Sequence, residues 1–232
     1  MFSIKESIKY GWLKLKEHTE LVLYATLLVL AISSLNGGIG SGNRSFVIPL
    51  FNLVVIVSSI IIKIGYNKIF LKIHDGEKPK FVEIFKEYRI FWRYVGVSIL
   101  RFSPLAIFTV IIFLIFYYAV LPPLAILCTI TLLTILSIIW AVRFSFSLII
   151  IIDTKTGPIA AMRESYAITK DSFWKILLFW IVTALFNLLG LLLFWVGLLV
   201  TVPITTFASI YIYRELSKAK AGLIQNVSPQ QA

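Results

Sequence analysis

Two long stretches of the chain contain no charged side chain, and they limit what this sequence can fold into. Residues 102–142 and 176–213 lack Asp, Glu, Lys and Arg altogether, over 41 and 38 residues. The hydrocarbon core of a bilayer is about 30 Å thick, and about 20 helical residues cross it. Each stretch is therefore long enough for two membrane crossings joined by a short turn.

The overall composition agrees with a membrane protein. Hydrophobic residues make up 59% of the 232 residues and charged residues only 14%, whereas about a quarter of a soluble domain is charged. The sequence therefore predicts an all-α, polytopic membrane protein. The single cysteine, Cys128, rules out a disulfide within the chain. We expect residues 1–20 to be retained, because no small-residue cleavage site of a signal peptide follows them.

The apolar pattern predicts six transmembrane helices in a single domain over residues 1–216. Glycines in the region 37–43 and the pair Pro122 and Pro123 mark two of the turns between them. The polar tail, residues 217–232, is expected to be disordered. The predicted spans cover about residues 20–36, 46–73, 94–120, 124–152, 173–194 and 197–216.

The charged residues predict the orientation of these spans. With six crossings, 21 of the 22 basic residues fall on one side of the membrane and only Arg44 falls on the other. All eleven acidic residues lie on the basic side too. Because basic residues accumulate in cytoplasmic loops, both termini are predicted to be cytoplasmic in a multi-pass protein of the plasma (inner) membrane.

An amphipathic segment precedes each odd-numbered span, and we call these three the interfacial segments. Apolar residues spaced by three and four indicate one face of a helix, which lies in the membrane interface with its basic side toward anionic headgroups. The recurrence suggests a threefold repeat of about residues 1–77, 78–156 and 157–216; the alternative is three independent segments. The stripes are Ile4, Ile8, Trp12 and Leu15; Phe81, Ile84, Phe85, Tyr88 and Trp92; and Ile159, Met162, Tyr166 and Phe173.

No pattern in the sequence predicts an enzyme. The only histidines, His18 and His74, both lie beside the end of a predicted span and are expected to be solvated. The chain has no H-E-x-x-H, no C-x-x-C and no phosphate-binding glycine loop. We therefore expect no catalytic residue, no metal and no cofactor. The expected partners are membrane lipids or another membrane protein, and not nucleic acid.

Basic residues near the span ends are the candidate contacts for anionic lipids. Two of them, Arg101 and Arg143, lie inside predicted spans and allow two interpretations. They reach the headgroups or pair with Asp153 or Glu215, or they line a cytoplasm-facing basic cavity together with Lys63. The first favours a non-enzymatic accessory or structural module, and the second a transporter or binding protein for an anionic amphiphile. The candidates are Lys63, Lys78, Lys86, Arg89, Arg93, Arg101, Arg143 and Arg163.

Two segments of the sequence match a known pattern, through Arg163, Ser165, Lys170 and Trp174 in one and Gly197, Pro203, Ala208, Tyr211, Tyr213, Arg214 and Glu215 in the other. On these residues the chain resembles a six-span membrane domain family, which is associated with glycerophosphodiester phosphodiesterases and has stand-alone relatives of unknown function. The resemblance implies an integral membrane module linked to lipids or to the integrity of the cell envelope. The phosphodiesterase barrel and its metal site have no counterpart in this sequence, so the resemblance implies no enzyme activity.

Overall fold

The computed structural model describes residues 2–38, 47–118, 122–193 and 196–227, and all regular secondary structure in these ranges is helical. The prediction of an all-α fold is confirmed. The helices are α1 (Ile4–Glu17), α2 (Thr19–Gly38), α3 (Val47–His74), a 3-10 helix (Phe81–Ile90), α4 (Phe91–Tyr118), α5 (Pro123–Arg143), α6 (Ser147–Thr154), α7 (Pro158–Thr169), a 3-10 turn (Lys170–Ser172), α8 (Phe173–Leu192) and α9 (Leu198–Val227).

Several of these helices are long and apolar enough to cross a membrane. Among the described residues there are four such stretches, and a fifth if α1 and α2 count as one span bent by 104°. This number of apolar helices is that of a membrane-embedded protein. The four stretches are Phe51–His74, Phe81–Leu114, Leu124–Thr154 and Pro158–Leu192.

The predicted sixth span coincides with α9, which is not among these apolar stretches. Its polar residues explain why: Thr201, Thr205 and Ser209 are all buried, and Asn187 of α8 donates a hydrogen bond to the Thr205 hydroxyl at 3.4 Å. A helix enclosed by other helices does not need an apolar surface all round, because polar side chains can form hydrogen bonds inside the protein. The hydroxyls of Thr205 and Ser209 donate to backbone carbonyls of α9, whereas the Thr201 hydroxyl has no hydrogen-bond partner among the described residues. The charged residues Arg214, Glu215, Lys218 and Lys220 in the second half of α9 lower its apolar content further.

Two predicted boundaries differ from the structure. The fourth predicted span is two helices, because the chain turns at residues 144–146 between α5 and α6. The tail expected to be disordered from residue 217 is helical as far as Val227. Three of the predicted turns fall wholly or partly on residues 39–46, 119–121 and 194–195, which lie outside the described residues.

The chain divides into two compact units. The first consists of Met1–Phe91 and Leu178–Ala232, and in it α9 packs against α1, α2 and α3. Aromatic rings of neighbouring helices stack in its core, where the centroids of Phe70 and Phe207 are 4.3 Å apart. Such rings bury large apolar areas and pack in this core beside many aliphatic side chains.

The second unit, Trp92–Leu177, contains α4 to α7. The four consecutive isoleucines of α6, residues 149–152, are buried, and α6 packs against α7. The α4 and α5 helices instead expose large apolar side chains such as Ile107, Phe113 and Leu132. Exposed apolar surface of this extent in a membrane protein is the surface that lipid tails cover.

Candidate functional site

The second interfacial segment is a three-sided element. Most of it, Phe81–Ile90, is a 3-10 helix with a kink at Glu87, where φ is −93° and ψ is 24°. In a 3-10 helix every third residue lies on the same side, and the exposure of residues 81–90 follows this spacing on both sides of the kink. One side, containing Ile84 and Ile90, is buried. A second side is apolar but exposed, and a third is charged. The exposed apolar side consists of Val82, Phe85 and Tyr88, and the charged side of Glu83, Lys86 and Arg89.

This geometry corrects the apolar stripe predicted from the sequence. A stripe of Phe81, Ile84, Phe85, Tyr88 and Trp92 presupposes an α-helix with 3.6 residues per turn. In the 3-10 helix the same residues separate onto a side that contacts the protein, with Ile84, and a side that is exposed, with Phe85 and Tyr88. One apolar side of the segment, with Phe85 and Tyr88, therefore remains exposed after the other has docked.

The buried side of the 3-10 helix docks onto α3 at a glycine. A Cβ atom at Gly65 would overlap the carbonyl oxygen of Ile84, so no larger residue fits there without a shift of the backbone. An ionic contact fixes the same pair of elements, since Lys72 Nζ is 2.8 Å from Glu83 Oε2. The other oxygen of Glu83 accepts a hydrogen bond from the amide of Lys80 at 3.1 Å, which caps the start of the helix.

The other two interfacial segments are α1 and α7, and each is also docked on one side. A Cβ atom at Gly11 of α1 would overlap the carbonyl oxygen of Ile204 in α9. The buried side of α7 contains Ala161, Ser165 and Ile168, and α7 packs against α5 and α6. In the structure all three segments are therefore attached to the helices of their own unit.

A strongly exposed tryptophan lies in or just after each interfacial segment. Trp12 is 44% exposed in α1, Trp92 is 80% exposed at the start of α4, and Trp174 is 77% exposed at the start of α8. Lys16 Nζ lies 5.0 Å from the centroid of the Trp12 ring. Exposed tryptophans at helix ends are typical of the boundary between headgroups and acyl chains.

The eight candidate lipid contacts fall into two groups by exposure. Arg101 and Arg143 are half-buried, and each lies in the second unit. The others have exposed side chains, as contact with lipid headgroups requires. These six are Lys63, Lys78, Lys86, Arg89, Arg93 and Arg163.

Arg143 makes specific contacts within the protein. Its Nη1 atom donates a hydrogen bond to the carbonyl oxygen of Thr169 at 3.1 Å, and its guanidinium lies 5.2 Å from the ring of Tyr166 and 5.3 Å from that of Phe173. The Arg143 carbonyl in turn accepts the hydroxyl of Ser165 at 2.9 Å. The expected partner was Asp153 or Glu215; the structure instead places Arg143 against the end of α7, which it ties to α5.

Arg93 and Arg101 also take part in links between helices of the second unit. Arg93 donates a hydrogen bond to the carbonyl oxygen of Lys155, the residue in left-handed conformation that ends α6. The backbone carbonyl of Arg101 accepts the indole N–H of Trp140 at 3.1 Å, which joins α4 to α5. These contacts give both residues a structural role beside any contact with lipid.

No pattern in the sequence predicts the polar cluster that joins α1, α3 and α9. Tyr10 Oη lies 2.8 Å from His74 Nδ1, the rings of Tyr10 and Tyr211 have centroids 5.1 Å apart, and Arg214 Nη2 lies 2.7 Å from Asp75 Oδ2. His74 is therefore half-buried and bonded, not solvated. Only tertiary structure brings these residues together, because they are far apart in the sequence.

Tyr10 is uncharged at neutral pH. Burial of the side chain and, next in importance, the negative charge of Glu17 raise the pKa of the Tyr10 hydroxyl to about 12. The hydroxyl thus keeps its proton and is available to donate the hydrogen bond to His74. The cluster then resembles a network of paired polar groups more closely than a catalytic base with a free partner.

Neither the residue clusters nor the comparisons point to a known activity. No group of three or more His, Cys, Asp or Glu side chains that could hold a metal ion occurs among the described residues. A scan against models of protein families and searches of curated proteins and of solved structures found no match. The geometry of the interfacial segments is therefore the main indication of function.

Proposed function

We propose that the protein is a non-enzymatic accessory module of the plasma membrane, and that its interfacial segments bind anionic lipids of the cytoplasmic leaflet. It crosses the bilayer six times, with both termini in the cytoplasm. The observation that carries the proposal is the three-sided 3-10 helix. One side docks on α3, one offers Val82, Phe85 and Tyr88 to lipid, and one offers Lys86 and Arg89 to headgroups.

The physical basis is the combination of apolar insertion and electrostatic attraction. An element of this kind lies in the interface with its apolar side among the outer acyl carbons. Each basic residue near an anionic surface adds about 1 kcal/mol of attraction, which salt screens. Because the segment is already held by Gly65 and Glu83, it loses little conformational freedom when lipid binds.

The distribution of basic residues supports the six-span orientation. With both termini in the cytoplasm, 21 of the 22 basic residues share a side with the interfacial segments. α9 then forms the sixth crossing in spite of its buried threonines, because α1, α2 and α3 enclose it. The resemblance of the last third of the chain to the phosphodiesterase-associated membrane domain is consistent with a lipid-related accessory role.

The alternative, a transporter for an anionic amphiphile, receives less support. It requires the side chains of Lys63, Arg101 and Arg143 to line one cavity. Arg143 is instead engaged by the Thr169 carbonyl and two aromatic rings. A guanidinium used in this way is a poor candidate for a transient ligand site, since its release would break the link between α5 and α7.

The exposed tryptophans allow a direct test with the full-length protein. It is reconstituted into vesicles of phosphatidylcholine and phosphatidylglycerol, with bromine atoms on the chains of one lipid or of the other. The total composition is the same in both samples, so only the identity of the quencher changes. We expect brominated phosphatidylglycerol to quench tryptophan fluorescence more strongly, and salt to reduce the difference.

Charge variants show whether the interfacial segment causes the preference. The double substitution Lys78→Gln with Arg89→Gln should reduce the preferential quenching. Lys218→Gln with Lys220→Gln, which removes the same charge from the end of α9, should reduce it less. Equal quenching by the two brominated lipids in the unsubstituted protein would refute the proposed function.

A further inference from the structure

A pocket of about 320 Å³ lies between α3 and the 3-10 helix, entirely within the first unit. Its size is at the lower end of the range for small-molecule sites, which suits a headgroup better than a whole lipid. Lysines and glutamates form most of its wall. The lining residues are Lys68, Ile69, Lys72, Glu83, Lys86 and Glu87.

Part of this charge is neutralised within the pocket wall. Lys72 Nζ lies 2.8 Å from Glu83 Oε2 and 3.3 Å from Glu77 Oε2. Both oxygens of Glu83 are engaged, since the other accepts the amide of Lys80. Lys72 and Glu83 therefore form a fixed part of the site and hold α3 and the 3-10 helix together.

The two other lysines of the pocket have no such partner. Neither Lys68 nor Lys86 forms a salt bridge or hydrogen bond through its ammonium group with any residue that the structure describes. Lys68 is half-buried on α3, and Lys86 is exposed on the charged side of the 3-10 helix. The pocket thus brings together two ammonium groups, from two elements, that form no direct salt bridge with a described residue; the charge of Lys86 acts on the carboxylate of Glu83 only from a longer distance.

The position of Lys68 along α3 indicates where its counter-charge comes from. Lys68 precedes His74, the end of the apolar stretch Phe51–His74, by six residues, which is about 9 Å along a helix. Headgroup regions account for several ångströms at each face beyond the hydrocarbon core. A lysine at this depth reaches the level of the lipid phosphates with its flexible stem, and a phosphate oxygen is a strong acceptor for an ammonium group.

We propose that this pocket binds the phosphodiester group of an anionic glycerophospholipid, with Lys68 and Lys86 as its two cationic contacts. The inference rests on the proposed function, because it needs this end of α3 to lie at the headgroup level. The lining carries three lysines and two glutamates, a net charge of one positive unit. This matches a phosphodiester, which carries one negative charge, better than a polyphosphate.

Native mass spectrometry of the full-length protein in neutral detergent tests the site. The probes are phosphatidylglycerol, phosphatidylcholine and, as a soluble source of the same chemistry, glycerophosphoglycerol. We expect one phosphatidylglycerol to bind at least tenfold more tightly than further copies and more tightly than phosphatidylcholine. In the variant Lys68→Gln with Lys86→Gln, the affinity for this first phosphatidylglycerol should fall by tenfold or more.

Two further variants make the result specific. Lys68→Arg with Lys86→Arg keeps both charges and should retain the tight lipid. Lys218→Gln with Lys220→Gln removes the same charge outside the pocket, from the end of α9, and should leave the first binding step unchanged. The melting temperature of each variant is measured, and only variants that melt at the same temperature as the unsubstituted protein are compared. Loss of the fold is then not mistaken for loss of the site.

The outcomes separate this inference from the proposed function. If both glutamine pairs weaken lipid binding equally, the protein attracts anionic lipid through general charge, and the pocket is not a site. If neither the unsubstituted protein nor any variant binds phosphatidylglycerol more tightly than phosphatidylcholine, the proposed function fails as well. If glycerophosphoglycerol binds the unsubstituted protein as tightly as the lipid but not the Lys68 and Lys86 variant, the phosphodiester site stands and its ligand comes from solution.

Discussion

Tyr10 Oη lies 2.8 Å from Nδ1 of His74, although 64 residues separate the two in the sequence. The contact joins α1, an interfacial segment, to the end of α3. The ring of Tyr211 stacks beside Tyr10, and Arg214 pairs with Asp75 next to His74. The middle of α1, the end of α3 and the middle of α9 therefore share one polar cluster in the first unit, which fixes how α1 lies against α3 and α9.

Removal of the Tyr10 hydroxyl should destabilise the first unit. Tyr10→Phe leaves Nδ1 of His74 without its partner while the ring can still pack, and we expect a loss of about 1 kcal/mol. Thermal unfolding in detergent measures the change. The control is Tyr24→Phe, since Tyr24 is 65% exposed and its hydroxyl makes no contact with the residues that the structure describes. Equal melting temperatures for both variants would show that the bond contributes nothing.

A methyl group at Gly65 should displace the 3-10 helix. Because a Cβ atom there would overlap the carbonyl oxygen of Ile84, Gly65→Ala forces a backbone shift, and overpacking of this kind costs about 1–3 kcal/mol. Faster hydrogen exchange across residues 81–90 should report the displacement. Gly222→Ala, where a Cβ atom meets open space, should leave exchange in that segment unchanged.

Replacement of Arg143 by lysine should loosen α7 even though the charge is kept. A lysine lacks the planar group that stacks against Tyr166 and Phe173. We expect Arg143→Lys to increase hydrogen exchange and protease cleavage in the region 158–172. Arg163→Lys is the matched control, because Arg163 is exposed on α7. If the two variants exchange alike, the guanidinium does not hold α7.

The six-span orientation predicts which positions are accessible from outside the cell. In a Cys128→Ser background, a membrane-impermeant thiol reagent should label Asn43→Cys and Val196→Cys in intact cells. Lys78→Cys and Arg163→Cys should react only after the membrane is permeabilised, since both lie on the side of the basic residues. Labelling of Lys78→Cys in intact cells would show that the orientation is wrong.

The sequence predicted the elements more reliably than their internal geometry. The charge-free stretches located the apolar helices, because a bilayer requires about 20 apolar residues per crossing whatever the tertiary fold. The apolar stripe of residues 81–92 also located an interfacial segment. The stripe did not reveal that this segment is a 3-10 helix docked on α3. The docking depends on the close approach of Ile84 to Gly65, which are too far apart in the sequence for a local pattern to show their contact.

The residues of the candidate site also differ in how far the sequence predicted them. Lys86 and Arg89 could be named from the sequence because a basic residue beside an apolar span is visible as a pattern. Lys68 and Lys72 were not distinguished from other lysines of the second span. They became part of a site only when the 3-10 helix brought Glu83 to 2.8 Å from Lys72 and enclosed a pocket.

The linear order of apolar and charged residues determined by itself that this is a helical membrane protein with amphipathic segments, because transfer into lipid depends on composition along the chain. Tertiary structure alone decided which side of each segment is docked, that Arg143 is bound to α7, and that Tyr10 meets His74. Those outcomes depend on side chains from separate helices meeting at distances of a few ångströms, and no local pattern in a single helix encodes such a meeting.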